Sequence, residues 1–113
     1  MINKVILLGN CGNDPEIINT QGGKKIANVS LATSETFKDA QGQKQTSTTW
    51  HKLVFFNKLA EVVENYVKKG SKLYIEGSIR VRDYEDKQGV KRYINEINVN
   101  TMQMLDSKKS EEF

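Results

Sequence analysis

The stretch LYIEGSIRVRDY, from Leu73 to Tyr84, constrains the fold more than any other part of the chain. Leu73, Ile75, Gly77, Ile79 and Val81 share one parity, and Tyr74, Glu76, Ser78, Arg80, Arg82 and Tyr84 share the other. Side chains on a strand point alternately to opposite faces, so this pattern predicts a strand with one apolar side and one side of aromatics and cations. A helix would scatter both sets around its axis.

The rest of the chain obeys the same period. In TTWHKLVFF, Thr48 to Phe56, the residues Trp50, Lys52, Val54 and Phe56 fall on one face and His51, Leu53 and Phe55 on the other. Ile26 to Thr33 sets Ala27, Val29 and Leu31 against Asn28 and Ser30, a half-buried strand. Lys4 to Leu8 is apolar on both faces, which predicts a strand with a barrel interior on one side and another contact, a second subunit being one candidate, on the other. GNCGNDPE then breaks this strand and TQGGKK turns the chain.

Phe37 to Ser47 is polar and reads as a long hairpin loop, and EDKQGVK makes a second hairpin. One helix is expected after Asn57, a candidate N-cap: Leu59, Val62, Val63, Tyr66 and Val67 recur at helical spacing before the stop Lys68, Lys69, Gly70. The last strand, Arg92 to Leu105, holds Ile97 and Val99 in one phase and Met102 and Met104 in the other, predicting a bulge near Asn100 or Thr101. Five strands with a helix between the third and fourth, and no repeat, match an all-β fold: a five-stranded Greek-key barrel of the OB type. We expect one domain over residues 1–105 and a short, mostly charged, poorly ordered tail over 106–113.

Composition narrows the function classes. The formal net charge is +3 and the sequence pI about 9.0, which permits an anionic partner without requiring one. A single cysteine, Cys11, allows no internal disulfide, and one histidine offers no zinc-like cluster, so a reducing compartment and no metal or other cofactor are expected. Cys11 itself reads as a small apolar filler. No apolar run is long enough for a membrane span and MINKVILLGN lacks a secretory pattern, which favours a cytoplasmic protein.

Collected by face, Trp50, Lys52 and Phe56 on the third strand, Arg80, Arg82 and Tyr84 on the fourth, and Phe37 and Lys38 at the loop entrance form an aromatic and cationic patch. In the OB layout these elements line the usual oligonucleotide face, and single-strand binders on such barrels combine cations for phosphates with rings for bases. Ordinary barrel exterior is the competing explanation. Lys4, Lys58, Lys68, Lys69 and Arg92 are weaker phosphate candidates, since lysines at helix and strand ends are usually just solvated. His51, on the face opposite Trp50, reads as a packing or subunit-contact residue rather than a base, and Asp83, Glu85 and Asp86 as a solvated loop rather than a metal site. No catalytic residue is assigned.

Taken together, NKVILLGNCGNDPE, ANVSLATSETF, TTWHKLVFFNKLAEVVENYVKKGSKLYIEGSIRVRDYED and RYINEINVNTMQMLD resemble the DNA-binding domain of the bacterial single-stranded-DNA-binding proteins, from Asn3 to about Leu105. The resemblance implies an OB fold assembled as a homotetramer that binds single-stranded DNA in replication, recombination and repair. It implies base stacking at Phe37, Trp50, Phe56 and Tyr84, where relatives often carry Trp in place of Phe37 and Tyr84. It implies a subunit contact at His51 and along the first strand, Val5, Ile6, Leu7 and Leu8. Relatives of this kind end in a long linker and an acidic tip with a terminal Pro-Phe that recruits other proteins. The present chain is expected to be a short variant, whose SEEF retains Glu111, Glu112 and Phe113 for at most weak recruitment. A primosome-like or RNA-binding OB accessory protein, a nuclease on the same barrel, and a protein-binding oligomeric scaffold are the rival classes.

Overall fold

In the computed structural model, which describes residues 1–105, the chain forms six strands and one helix. They are β1 (Val5–Cys11), β2 (Glu16–Asn19), β3 (Lys25–Lys38), β4 (Lys44–Phe56), α1 (Lys58–Tyr66), β5 (Lys72–Glu85) and β6 (Lys91–Met104). Five strands close a barrel. β1 pairs with β5, β5 with β6, β6 in parallel with β4, β4 with β3, and β3 returns to β1 through Ala32–Asn10 and Leu31–Cys11. This is the OB-type Greek-key barrel expected from the sequence, with α1 between its third and fourth strands.

Alternation puts the core where the sequence placed it. Ala27, Val29 and Leu31 of β3, Leu53 and Phe55 of β4, and Leu73 and Ile75 of β5 are buried together inside the barrel. Each large apolar side chain so buried contributes about 1.5–3 kcal/mol. β1 can approach β3 only because residue 9 is glycine: a Cβ there would lie 2.1 Å from the Ala32 carbonyl oxygen. The predicted bulge is present. Thr101 pairs with Glu76 and Val99 with Gly77, which leaves Asn100 as the extra residue and swaps the phase from Ile97 and Val99 to Met102 and Met104.

Several boundaries differ from the expectation. β1 runs on through Gly9, Asn10 and Cys11 instead of breaking at Gly9, and Glu16–Asn19 forms a short strand on β3 that its polar flanks concealed. Phe37 to Ser47 is not a loop. β3 and β4 stay paired past the barrel up to Lys38–Lys44, and β5 and β6 do the same up to Glu85–Lys91, so two ribbon arms project from one side. A ribbon with no layer against it needs no apolar face, and in the first arm the period used to find strands is absent from the sequence. For the same reason Ile79 and Val81, although in phase with Leu73 and Ile75, remain 49% and 60% exposed on the second arm.

The arm tips share one turn. Asp39 Oδ1 accepts from the backbone N–H of Gln41 and Gln43 at 3.0 and 2.8 Å, and Asp86 Oδ1 accepts from Gln88 and Val90 at 2.9 Å each. Gly42 and Gly89 take the positive φ that each turn requires, 79° and 78°.

The helix also departs from its predicted form. It buries Ala60 and Val63, followed by Val67 just beyond its end, with Leu59 partly covered, whereas Val62 and Tyr66 of the expected stripe face outward. Asn57 occupies the N-cap position without a side-chain cap, at φ 58° and ψ −118°. Asp106 to Phe113, including Glu111, Glu112 and Phe113, lie outside the described residues. No described helix is long and apolar enough to cross a membrane.

Candidate nucleic-acid interface

β4 and β6 share ladder pairs only at Leu53–Ile97 and Val54–Asn98, and beyond this point the pairing ends. The two arms therefore splay, and a groove opens between them. Register fixes what it contains. Trp50, Lys52, Val54 and Phe56 share a face of β4, and Ser30 and Asn28 of β3 lie beside Lys52 and Val54. Across the groove, Asn98 and Glu96 of β6 pair with Ser78 and Arg80 of β5, and Ile94 with Arg82. Three adjoining clefts of about 550, 290 and 350 Å³ run along this face. Trp50 and Lys52 border the first, Lys52 and Arg82 the second, and Phe56, Arg80 and Arg82 the third.

The four rings predicted to stack are 40–59% exposed, although each is large enough to have been core material. Trp50 and Phe56 stand in the groove. Phe37 and Tyr84 are carried on the arms, paired with Gln45 and Arg92. The indole has a seat that the sequence did not reveal. Gly12, between β1 and β2, lies so close beneath it that a Cβ there would be 2.3 Å from Trp50 Cζ3. The loop is pinned by Gly12 N–H donating to the Ser30 carbonyl at 2.9 Å and Ser30 N–H donating to Asn13 Oδ1 at 3.3 Å.

The cations divide into three groups. Lys52 and Arg80 border the groove with no ion-pair partner among the described residues. Arg82 is engaged: its Nε and Nη2 donate to Oε1 and Oε2 of Glu96 at 3.1 and 3.0 Å. That paired carboxylate raises the guanidinium above its ordinary pKa, first by hydrogen bonding and then by charge. Arg92 donates to Asp86 Oδ2 at 3.0 Å and so braces the second arm's turn, and Lys4 lies 3.5 Å from Glu76. Lys38 sits at the tip of the first arm, Lys58 opens α1, and Lys69 follows the helix; none of these residues borders the three clefts described above.

Of the residues read as a subunit contact, those of β1 lie outside the three clefts, whereas His51 borders the first of them beside Trp50 and Lys52. Val5 and Leu7 pack against the core while Ile6 and Leu8 face outward, opposite Glu76 and Tyr74 of β5. The Tyr74 hydroxyl donates to Glu76, which holds that carboxyl below its ordinary value, and Lys4 adds to the effect. His51 is half-buried, its Nε2 sharing a hydrogen bond of 2.8 Å with Thr33 Oγ1.

With this geometry in view, residues 2–105 match the family model described as "Single-strand binding protein family". The chain belongs to the single-strand binding protein family. Relatives include the single-stranded DNA-binding proteins of Xylella fastidiosa, 52% identical, and of Xanthomonas campestris pv. campestris, 50% identical, each over 104 residues and 92% of this chain. The chain spans 63% and 60% of the lengths of these two curated relatives. Among solved structures, a Plasmodium falciparum SSB described as a complex with ssDNA superposes with a TM-score of 0.86 at 30% identity, covering 94% of this chain and 96% of that one. A deletion mutant of the single-stranded DNA binding protein from Thermus aquaticus gives 0.82 at 25% identity over 95% and 52% of the two chains.

Within this member of the family, the groove residues missed by sequence reasoning include Gly12, Asn28, Tyr93, Glu96 and Asn98. Cross-strand register could have found those on strands, whereas nothing in the sequence places Gly12, in the β1–β2 connection, under Trp50. Glu96 and Asn98 share a parity with Arg92, but nothing in the string says that they meet Arg80 and Ser78.

Proposed function

We propose that the groove binds single-stranded DNA with little regard to sequence, holding bases on Trp50, Phe56, Phe37 and Tyr84 and phosphates on Lys52, Arg80 and the outlying cations. The observation that carries this reading is the interleaving along the clefts: Trp50, Lys52 and Phe56 on one wall face Arg80 and Arg82 on the other. A strand of unpaired nucleotides presents flat bases and regularly spaced charge, and such a groove meets both at once. Family membership and the ssDNA complex of the Plasmodium relative support the same reading. Protection of exposed strands in replication, recombination and repair would follow, in the cytoplasm or nucleoid, by binding without catalysis.

We further propose a homo-oligomer, a tetramer by family likeness, built on β1. Ile6 and Leu8 are exposed apolar side chains on its outer face, and its Val5–Gly9 edge toward β3 carries no ladder partner among the described residues. His51 would lie near such a contact.

The deciding experiment is a titration of oligo-dT followed by tryptophan emission, with Trp50 the only indole. Saturable quenching that weakens with salt is expected. Unchanged emission at DNA concentrations that saturate a filter or mobility assay would remove Trp50 from the interface, and no binding in either assay would remove the reading.

A further inference from the structure

Glu96 alone borders all three clefts of the groove. A carboxylate at the centre of a path for a polyanion requires a physical reason. Its side chain is only 13% exposed, and both of its oxygens are taken by Arg82 in a two-point, fork-to-fork arrangement. The pair is therefore close to electrically neutral. Arg82 remains 59% exposed and borders two of the clefts, so it is accessible to a ligand while its charge is already answered. A guanidinium held flat in this way offers a plane on which an unstacked base can lie, and a poor site for exchanging a counterion with phosphate.

We propose that Glu96 is a positioning residue that turns Arg82 from a phosphate ligand into a stacking plane, so that the middle of the groove takes a base and the phosphates run along the cations outside it, Lys52 and Arg80 among them. The inference rests on the single-strand reading above and changes the role that sequence gave Arg82. It also explains why a basic groove keeps an acid at its centre: the carboxylate disfavours phosphate there and selects the orientation with bases inward.

The salt dependence of oligo-dT binding separates the two roles, because each phosphate bound on a single strand contributes a slope of about 0.7 in log K against log salt. The full chain is titrated over a salt series as wild type, Arg82→Ala and Glu96→Gln, with melting curves recorded for each. Arg82→Ala should lower affinity by about fivefold or more, within the range known for stacking residues in this class of protein, and leave the slope unchanged. Glu96→Gln should free the guanidinium for phosphate and steepen the slope by about 0.7. A slope reduced by about that amount in Arg82→Ala, or an unchanged affinity there, overturns the proposal, as does an unchanged slope in a folded Glu96→Gln. If Glu96→Gln fails to fold, Arg82→Ala decides alone. Wild-type protein that does not bind oligo-dT overturns the parent reading instead, and is told apart by that result.

Discussion

Gly12 lies directly under Trp50, leaving no room for even a methyl group between the β1–β2 connection and the indole. The ring is fixed on one side by backbone and open on the other. Gly12→Ala must displace it, and since Trp50 is largely exposed the displacement costs the barrel little. We expect the melting temperature to move by no more than a few degrees while single-strand affinity drops by about 1–2 kcal/mol, a large part of what one stacking ring contributes in proteins of this class. Calorimetry and oligo-dT titration of the same preparation measure the two effects.

Asn57 is held at φ 58° and ψ −118°, a conformation that a side chain tolerates poorly. Its backbone has no freedom to relax, because its N–H donates to the Lys25 carbonyl at 2.8 Å and its own carbonyl accepts from Glu61 at 3.0 Å. Asn57→Gly should stabilise the protein by about 1 kcal/mol, read as a higher denaturant midpoint with an unchanged slope.

Lys52 and Arg80 differ from Arg82 in having no carboxylate paired to them among the described residues. Replacing either with alanine should weaken oligo-dT binding and reduce the salt slope by about 0.7 for each phosphate no longer held. Titrations over a series of ionic strengths give the slope directly.

The two arm tips respond to acid together. The backbone N–H groups of Gln43 and Val90, foremost among several donors, hold the Asp39 and Asp86 carboxyls below their ordinary value of 3.8. A carboxyl whose folded pKa is depressed adds stability above the ordinary value and loses it as pH falls through the folded one. Below about pH 4 the amide protons of Gln41, Gln43, Gln88 and Val90 should therefore lose protection relative to their intrinsic exchange rates, while those of the barrel strands keep theirs. Amide exchange followed on either side of that pH tests this.

Assembly is tested on the other side of the barrel. Ile6→Asp should lower the solution mass measured by light scattering without altering the far-ultraviolet spectrum, since Ile6 faces away from its own chain's core. An unchanged mass would move the subunit interface away from β1.

Alternation was enough to read the barrel, because a half-buried strand writes its two faces into the sequence. Leu73 and Ile75 against Tyr74 and Glu76 is legible without coordinates, and the phase slip from Val99 to Met102 announced the bulge at Asn100. The first arm was misread for a corresponding reason, whereas the second was read as strand up to Tyr84 and again from Arg92. Thr36, Phe37 and Lys38 have solvent on both sides and carry no period, so their strand character rests on cross-strand hydrogen bonds and on a turn whose deciding atom is an aspartate oxygen. Composition and parity also picked out Trp50, Phe56, Lys52, Arg80 and Arg82, which border the clefts, but not the Tyr93 ring beside them. What they could not find was pairing across strands: Arg82 looked like a free cation until Glu96, fourteen residues away, proved to hold it.

The ribbon arms have a consequence for how this molecule can change. Their residues sit outside the packed interior, so exchange of one ring or charge there leaves thermal persistence almost untouched. On the single-strand reading, the share of the grip that Phe37 and Tyr84 carry on the arms is thus separable from survival of the fold, and selection can retune the one without risking the other.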